Sequence, residues 1–189
     1  MNALNLNRLN VKAPYSVWQV SDGSYGFKTD FWVLYRVAFT RDQTIWEEDA
    51  YEFAILNENQ KTSPSDKNLR ETVFCLIEEF FLVNPKILLY QCETGDNRQA
   101  IRDRLFLRWF NEYEFRNKYC IEVSEIIAEG ISNFIAVIIQ KSNPDADKIL
   151  DDFRNFVGFF SNKPCWCRSS RTPLTEPCGR CKEEKDILT

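Results

Sequence analysis

The chain has no histidine among its 189 residues. That absence removes Ser-His-Asp and Cys-His catalysis, HExxH metalloprotease chemistry, and histidine-based nucleases and deaminases. It also restricts any zinc site to cysteine thiolates or carboxylates. Glycine is scarce, and none occurs between Gly26 and Gly95. No apolar run approaches the roughly eighteen residues that a membrane span requires. The opening stretch, MNALNLNRLNVKAPYS, has no basic segment leading into an apolar one, so no secretory signal is expected. The expected location is cytoplasmic, where thiols stay reduced, and no membrane partner is expected.

What is present suits a globular protein able to bury a core: 44% of residues are hydrophobic and 28% charged. Aromatic residues are abundant, with 15 Phe, 7 Tyr and 5 Trp, and each buries a large area. The net charge of −4 is unevenly spread. Residues 1–160 hold 18 basic and 24 acidic side chains, and residues 161–189 hold 6 and 4. An acidic body does not suit a general nucleic-acid binder, whereas the basic tail leaves contact with nucleic acid open. The pattern divides the chain into a flexible arm over 1–13, an α+β domain over 14–161 and a cysteine-rich zinc-binding tail over 162–189.

Within the body, YSVWQV reads as strand and SDGSYGF carries turn chemistry. In FWVLYRVAF, Phe31, Val33, Tyr35, Val37 and Phe39 alternate as one apolar face of a strand. YEFAIL is the next strand. Ser65 or Asp66 is placed to cap a helix whose apolar stripe is Leu69, Val73, Leu76, Ile77, Phe80 and Phe81. Asn84-Pro85 stops that helix. KILLYQC reads as a buried strand, and Asp96 or Asn97 caps a second helix, RQAIRDRLFLRWFNEYEF. YCIEVSEII and NFIAVIIQK form a hairpin through AEGIS. Ser142 or Asn143 caps a last helix with Pro144 in its first turn. The order β-β-β-β-α-β-α-β-β-α predicts an α+β fold: a mostly antiparallel sheet with three packed helices.

Four of the seven cysteines fall in CWCRSSRTPLTEPCGRC. Cys165, Cys167, Cys178 and Cys181 give Cys-x-Cys, ten residues, then Cys-x-x-Cys, a spacing that can deliver four sulfurs to one tetrahedral ion. With four thiolates no coordination position stays open, so a zinc there is structural and closes a small knuckle. An iron–sulfur cluster, two disulfides or four unrelated thiols are the other readings. Trp166, Arg168, Arg171, Arg180 and Lys182 are what such a knuckle presents to a partner; alternatively it only staples the C-terminus to the body. Cys75, Cys92 and Cys120 lie in apolar stretches and read as core residues.

The second helix is rich in arginine. Arg98 and Arg102 share one face at i, i+4, and Arg104 and Arg108 share another. They read either as the solvated flanks of an amphipathic helix or as an anion site at its N-terminus. The stretch Asn143–Lys148 resembles a fragment of carboxylate–lysine nucleases, but it reads better as a helix start: a cap, a proline, then acids against the dipole.

The run Tyr90, Cys92, Asp96, Arg98, Gln99, Arg102, Leu105, Phe106, Trp109, Phe110 resembles the signature of a family of small bacterial proteins of unknown function, over roughly residues 14–160. That resemblance implies no activity and carries over no catalytic residue. The element order from Tyr51 to Lys141 is similar to the Gcn5-related acetyltransferase core: strand, helix, strand, helix, hairpin. The resemblance implies an acetyltransferase-like architecture and a glycine-containing loop for the cofactor's pyrophosphate. Here the corresponding loop, NENQKTSPSD, has no glycine, which puts acyl-CoA binding in doubt.

The expectation from all of this is a non-enzymatic adaptor. A zinc-stapled α+β domain would dock to a protein or ribonucleoprotein assembly, in a regulatory or phage-defence setting. The alternatives are a degenerate acyltransferase-like or carboxylate-dependent nuclease enzyme, and an antitoxin or immunity-type inhibitor whose acidic body blocks a basic target.

Overall fold

The computed structural model describes residues 1–43, 45–46, 50–62, 64–91, 99–128 and 131–161. The elements run α1 (Leu6–Lys12), β1 (Val17–Gln19), β2 (Tyr25–Lys28), β3 (Leu34–Arg41), β4 (Ala50–Asn57), α2 (Lys67–Val83) and β5 (Ile87–Gln91). Then follow α3 (Gln99–Glu112), a 3-10 turn (Arg116–Lys118), β6 (Tyr119–Ala128), β7 (Ile131–Gln140) and α4 (Ala146–Ser161). The strands form one seven-stranded sheet in the order β1-β2-β3-β4-β5-β7-β6. Every neighbouring pair is antiparallel except β4 and β5, which α2 joins as a parallel pair. The fold is thus α+β with a mostly antiparallel sheet.

Alternation along the strands splits the sheet into two faces. On the inner face, Phe27, Val37, Phe53, Leu88, Tyr90 and Ile138 pack against α1, α2 and α3. α2 supplies the predicted stripe: Leu69, Val73, Leu76, Ile77, Phe80 and Phe81 are all buried. Its N-terminus is capped by Asp66, whose carboxylate accepts from the Leu69 N–H at 3.1 Å, and it ends at Asn84 before Pro85. On the outer face, Ile87, Leu89, Val137 and Ile139 pack against Ile149, Phe153 and Val157 of α4.

The described residues form four α-helices where three were expected, because residues 1–13 contain a helix and are not a loose arm. They contain α1, whose cap Asn5 accepts from the Arg8 N–H at 3.0 Å. Leu9 is buried, and so is Leu4 ahead of the helix. Glu79 of α2, itself only 5% exposed, accepts from the Asn5 N–H at 3.0 Å and from Arg8 Nε at 2.8 Å. Asn2 and Asn84 exchange two bonds, at 2.7 and 3.0 Å. These partners lie more than seventy residues along the chain, so no local periodicity announces them.

Three other expectations shift. The turn over SDGSYGF divides. Asp22, Gly23 (φ +86°) and Ser24 make the turn, and Tyr25–Lys28 is a strand. Gly26 is there for space, since an added Cβ would come within 2.7 Å of the Trp18 ring. Phe31 lies before β3 and is exposed, because the chain turns at Thr29–Val33 with Trp32 at φ +61°. The last helix begins at Ala146, past both expected caps, Ser142 and Asn143. Asn143 and Pro144 form a turn closed by Ala146 N–H to the Asn143 carbonyl at 3.2 Å, with proline at its favoured second position.

Candidate functional site

In an open sheet, small-molecule sites gather beyond the carboxyl ends of parallel strands, where loops and helix N-termini turn their N–H groups outward. Among the described strands only β4 and β5 qualify. Their pairing runs from Ala50↔Ile87 to Phe53↔Tyr90 and stops there. β4 continues to Asn57, so its last four residues run past the paired segment. Beyond this end lies a cleft of about 380 Å³ between the start of α2 and α3, lined by Ser65, Asp66, Lys67, Arg70, Arg108, Trp109 and Glu112.

The cleft is polar and largely self-paired. Arg70 reaches Glu112 at 2.5 Å and Lys67 reaches Glu71 at 3.3 Å. The Asp66 carboxylate caps α2 and also accepts from the Tyr15 hydroxyl at 2.9 Å. Burial and that bond to Asp66 push the Tyr15 phenol up. Beneath the cleft, aromatic rings fill the seam: Phe106 stacks on Tyr90 at 4.1 Å and lies 6.2 Å from Phe53. A second hollow of about 470 Å³ sits at the opposite end of the strands. Trp46, Lys86, Asn143, Asp145, Lys148 and Asp152 line part of it, so the stretch that resembles a nuclease fragment forms one of its walls.

Of the arginines singled out in the sequence, Arg108 stands exposed on the cleft wall. Arg102 and Arg104 lie on α3, and Arg98 lies outside the described residues. So do Cys165, Cys167, Cys178 and Cys181, and Trp166, Arg168, Arg171 and Arg180. Among the described residues no three cysteine, aspartate or glutamate side chains come together to hold a metal ion. Lys67 and Arg70 were not anticipated. Their only sequence signal was their position in the first turn after a predicted cap, which becomes informative once α3 is known to lie alongside.

Cys75 and Cys120 are free and half-buried, each packed against one of the two cores. Burial, with Glu78 nearby, pushes the Cys75 thiol from an ordinary 9.0 to about 11. The thiolate is the nucleophile, so this thiol is a poor one. Tyr119 is likewise raised to about 12, and Tyr113, desolvated and bonded to Glu78, is raised as well. Each folded pKa lies above its unfolded value, so the folded state keeps protons that the unfolded state has released. Stability is then fully present below pH 9 and falls as pH rises through about 11. Urea unfolding at pH 8 and pH 10.5 is expected to show a lower midpoint at the higher pH. Cys75→Ala should remove part of that drop, and equal midpoints would refute the assignment.

Residues 65–155 match the sequence model of a family of unknown function, DUF6169. The matched stretch opens at the α2 cap and includes β5, α3, the β6–β7 hairpin and most of α4. It therefore includes Asp66, Arg70, Arg108 and Glu112 of the cleft. The family's description carries no activity. No curated protein and no solved structure matches the chain. No helix among the described residues is long and apolar enough to cross a membrane.

Proposed function

We infer that this protein is a binding module that docks onto another macromolecule, with its cysteine-rich tail organised by one structural zinc. The observation that carries this reading is the state of the β4–β5 ends. A phosphate-bearing cofactor needs free N–H groups and a close backbone approach there. Instead the loop ahead of α2 has no glycine, and Asp66 puts a carboxylate at the helix's N-cap, where it accepts from the Leu69 N–H. Phe53, Tyr90 and Phe106 fill the seam between the strands. What is left is a shallow cleft of long charged side chains, which suits a protein or ribonucleoprotein surface better than a buried small molecule.

In the tail, Cys165, Cys167, Cys178 and Cys181 supply four thiolates and so leave the ion no vacant position for chemistry. Metal analysis of the purified chain is expected to give one equivalent of zinc; less than half an equivalent of zinc or iron discards that part. Titration with acetyl-CoA in a thermal-shift assay is expected to leave the melting temperature unchanged. Native pull-down, with nuclease treatment, then separates a protein partner from a nucleic acid.

One observation favours a second reading, a degenerate acyltransferase. The element order that resembles the Gcn5-related acetyltransferase core comes with a single parallel pair, β4·β5, whose pairing stops while β4 continues. A clear stabilisation by acetyl-CoA would put this reading first.

A further inference from the structure

The described residues cover the outer face of the sheet over only part of its width. α4 lies across β5, β7 and β6, where Leu89, Val137 and Phe153 close the second core. The face continues over β4, β3, β2 and β1, since Ala54 and Leu56 alternate to the same side as buried Ala50. Register aligns Trp18, Gly26, Arg36 and Leu56 in one row across these four strands. Trp18 is 42% exposed and Leu56 39%, and the indole lies over Gly26. Between them Arg36 is paired with Asp22 and Glu58, yet its buried Nε has no acceptor among the described residues. The row thus sets two exposed apolar side chains, Trp18 and Leu56, on either side of an ion-paired arginine with that unsatisfied buried N–H, a face that an added segment of chain can cover with both apolar and polar contacts.

Connectivity supplies the cover. α4, which closes the first part of this face, ends at Ser161, and 28 residues follow it. Neighbouring strands are about 4.8 Å apart, so β2 lies roughly 19 Å from β7. An extended segment of that length reaches up to about 90 Å. The segment carries Trp166, Leu174, Ile187 and Leu188. It also holds 6 basic against 4 acidic side chains, facing a body with 18 against 24.

We propose that residues 162–189 fold back beside α4 and seat on the outer face of β1–β4, over the Trp18–Arg36–Leu56 row. The tail then completes the second layer of the sheet and is no independent appendage. This goes beyond the docking reading and holds whether or not the tail binds zinc.

The test places a photo-crosslinking benzoylphenylalanine at Leu56, and separately at exposed Thr40, in the purified full chain. Adducts are expected to map to residues 162–189 within a species of monomer mass. A product of dimer mass, adducts confined to residues 1–161, or no adduct from either position overturns the proposal. Tryptic cleavage after Arg168 and Arg171 gives a second readout. Trp18→Glu is expected to accelerate it about tenfold with the melting transition of the body retained, and an unchanged rate overturns the proposal. Both measurements are repeated after chelation, so loss of a zinc site and loss of docking are read separately.

Discussion

Phe80→Ala is expected to lower the unfolding free energy by about 3–5 kcal/mol. Phe80 is fully buried on α2. Its ring stacks on Phe39 of β3 at 4.7 Å and meets Tyr51 of β4 at 5.6 Å and Phe81 at 5.4 Å. Truncation therefore removes the transfer energy of a phenyl group and leaves a cavity walled by other rings. Two of those rings, Phe39 and Tyr51, are anchored on the paired strands β3 and β4, so the walls have little freedom to close in. Urea unfolding checks this: the midpoint should fall with the slope unchanged. A loss under about 1 kcal/mol would mean that the aromatic cluster rearranges freely. Phe80→Leu should cost less, because most of the volume remains.

The same residues show why much of the fold was legible. α2 was readable because every determinant is local: a capping carboxylate at Asp66, an apolar stripe of helical period, and Asn84-Pro85 at its end. The strand segments other than β2 were readable from alternation and short apolar runs, but their order across the sheet was not. α1 was not, because its seven residues show no stripe and it is held by Glu79, Asn84 and Tyr25, all remote in sequence. Gly26 was misread for a related reason. In sequence a glycine suggests a turn, and only the β1·β2 register reveals that it makes room for an indole. The cleft was half legible: Arg108 stood out by charge, whereas Lys67 and Arg70 gain meaning only from the approach of α3. The parallel pairing of β4 with β5 decides where a ligand site would lie, and it is a property of topology that no local pattern carries.

The largest consequence for function rests on Phe106. The seam between β4, β5 and α3 is either sealed hydrophobic core or the lining of a cofactor cleft, and Phe106→Ala separates the two. Phe106 is 2% exposed, stacked on Tyr90 and close to Phe53. If the seam is core, the variant loses about 3–5 kcal/mol. It then leaves an apolar void that a small aromatic such as benzene refills, recovering part of the stability through ligand linkage. Acetyl-CoA should leave both parent and variant unmoved, because nothing in the sealed seam or at the Asp66-capped helix receives a pyrophosphate. A cofactor cleft gives the opposite pattern: a variant within about 1 kcal/mol of the parent, and acetyl-CoA stabilising the parent but not the variant. Asp66→Ala then identifies the decisive element. If removing the capping carboxylate creates acetyl-CoA binding in the variant alone, the charge at the start of α2 is what keeps this sheet from holding a phosphate.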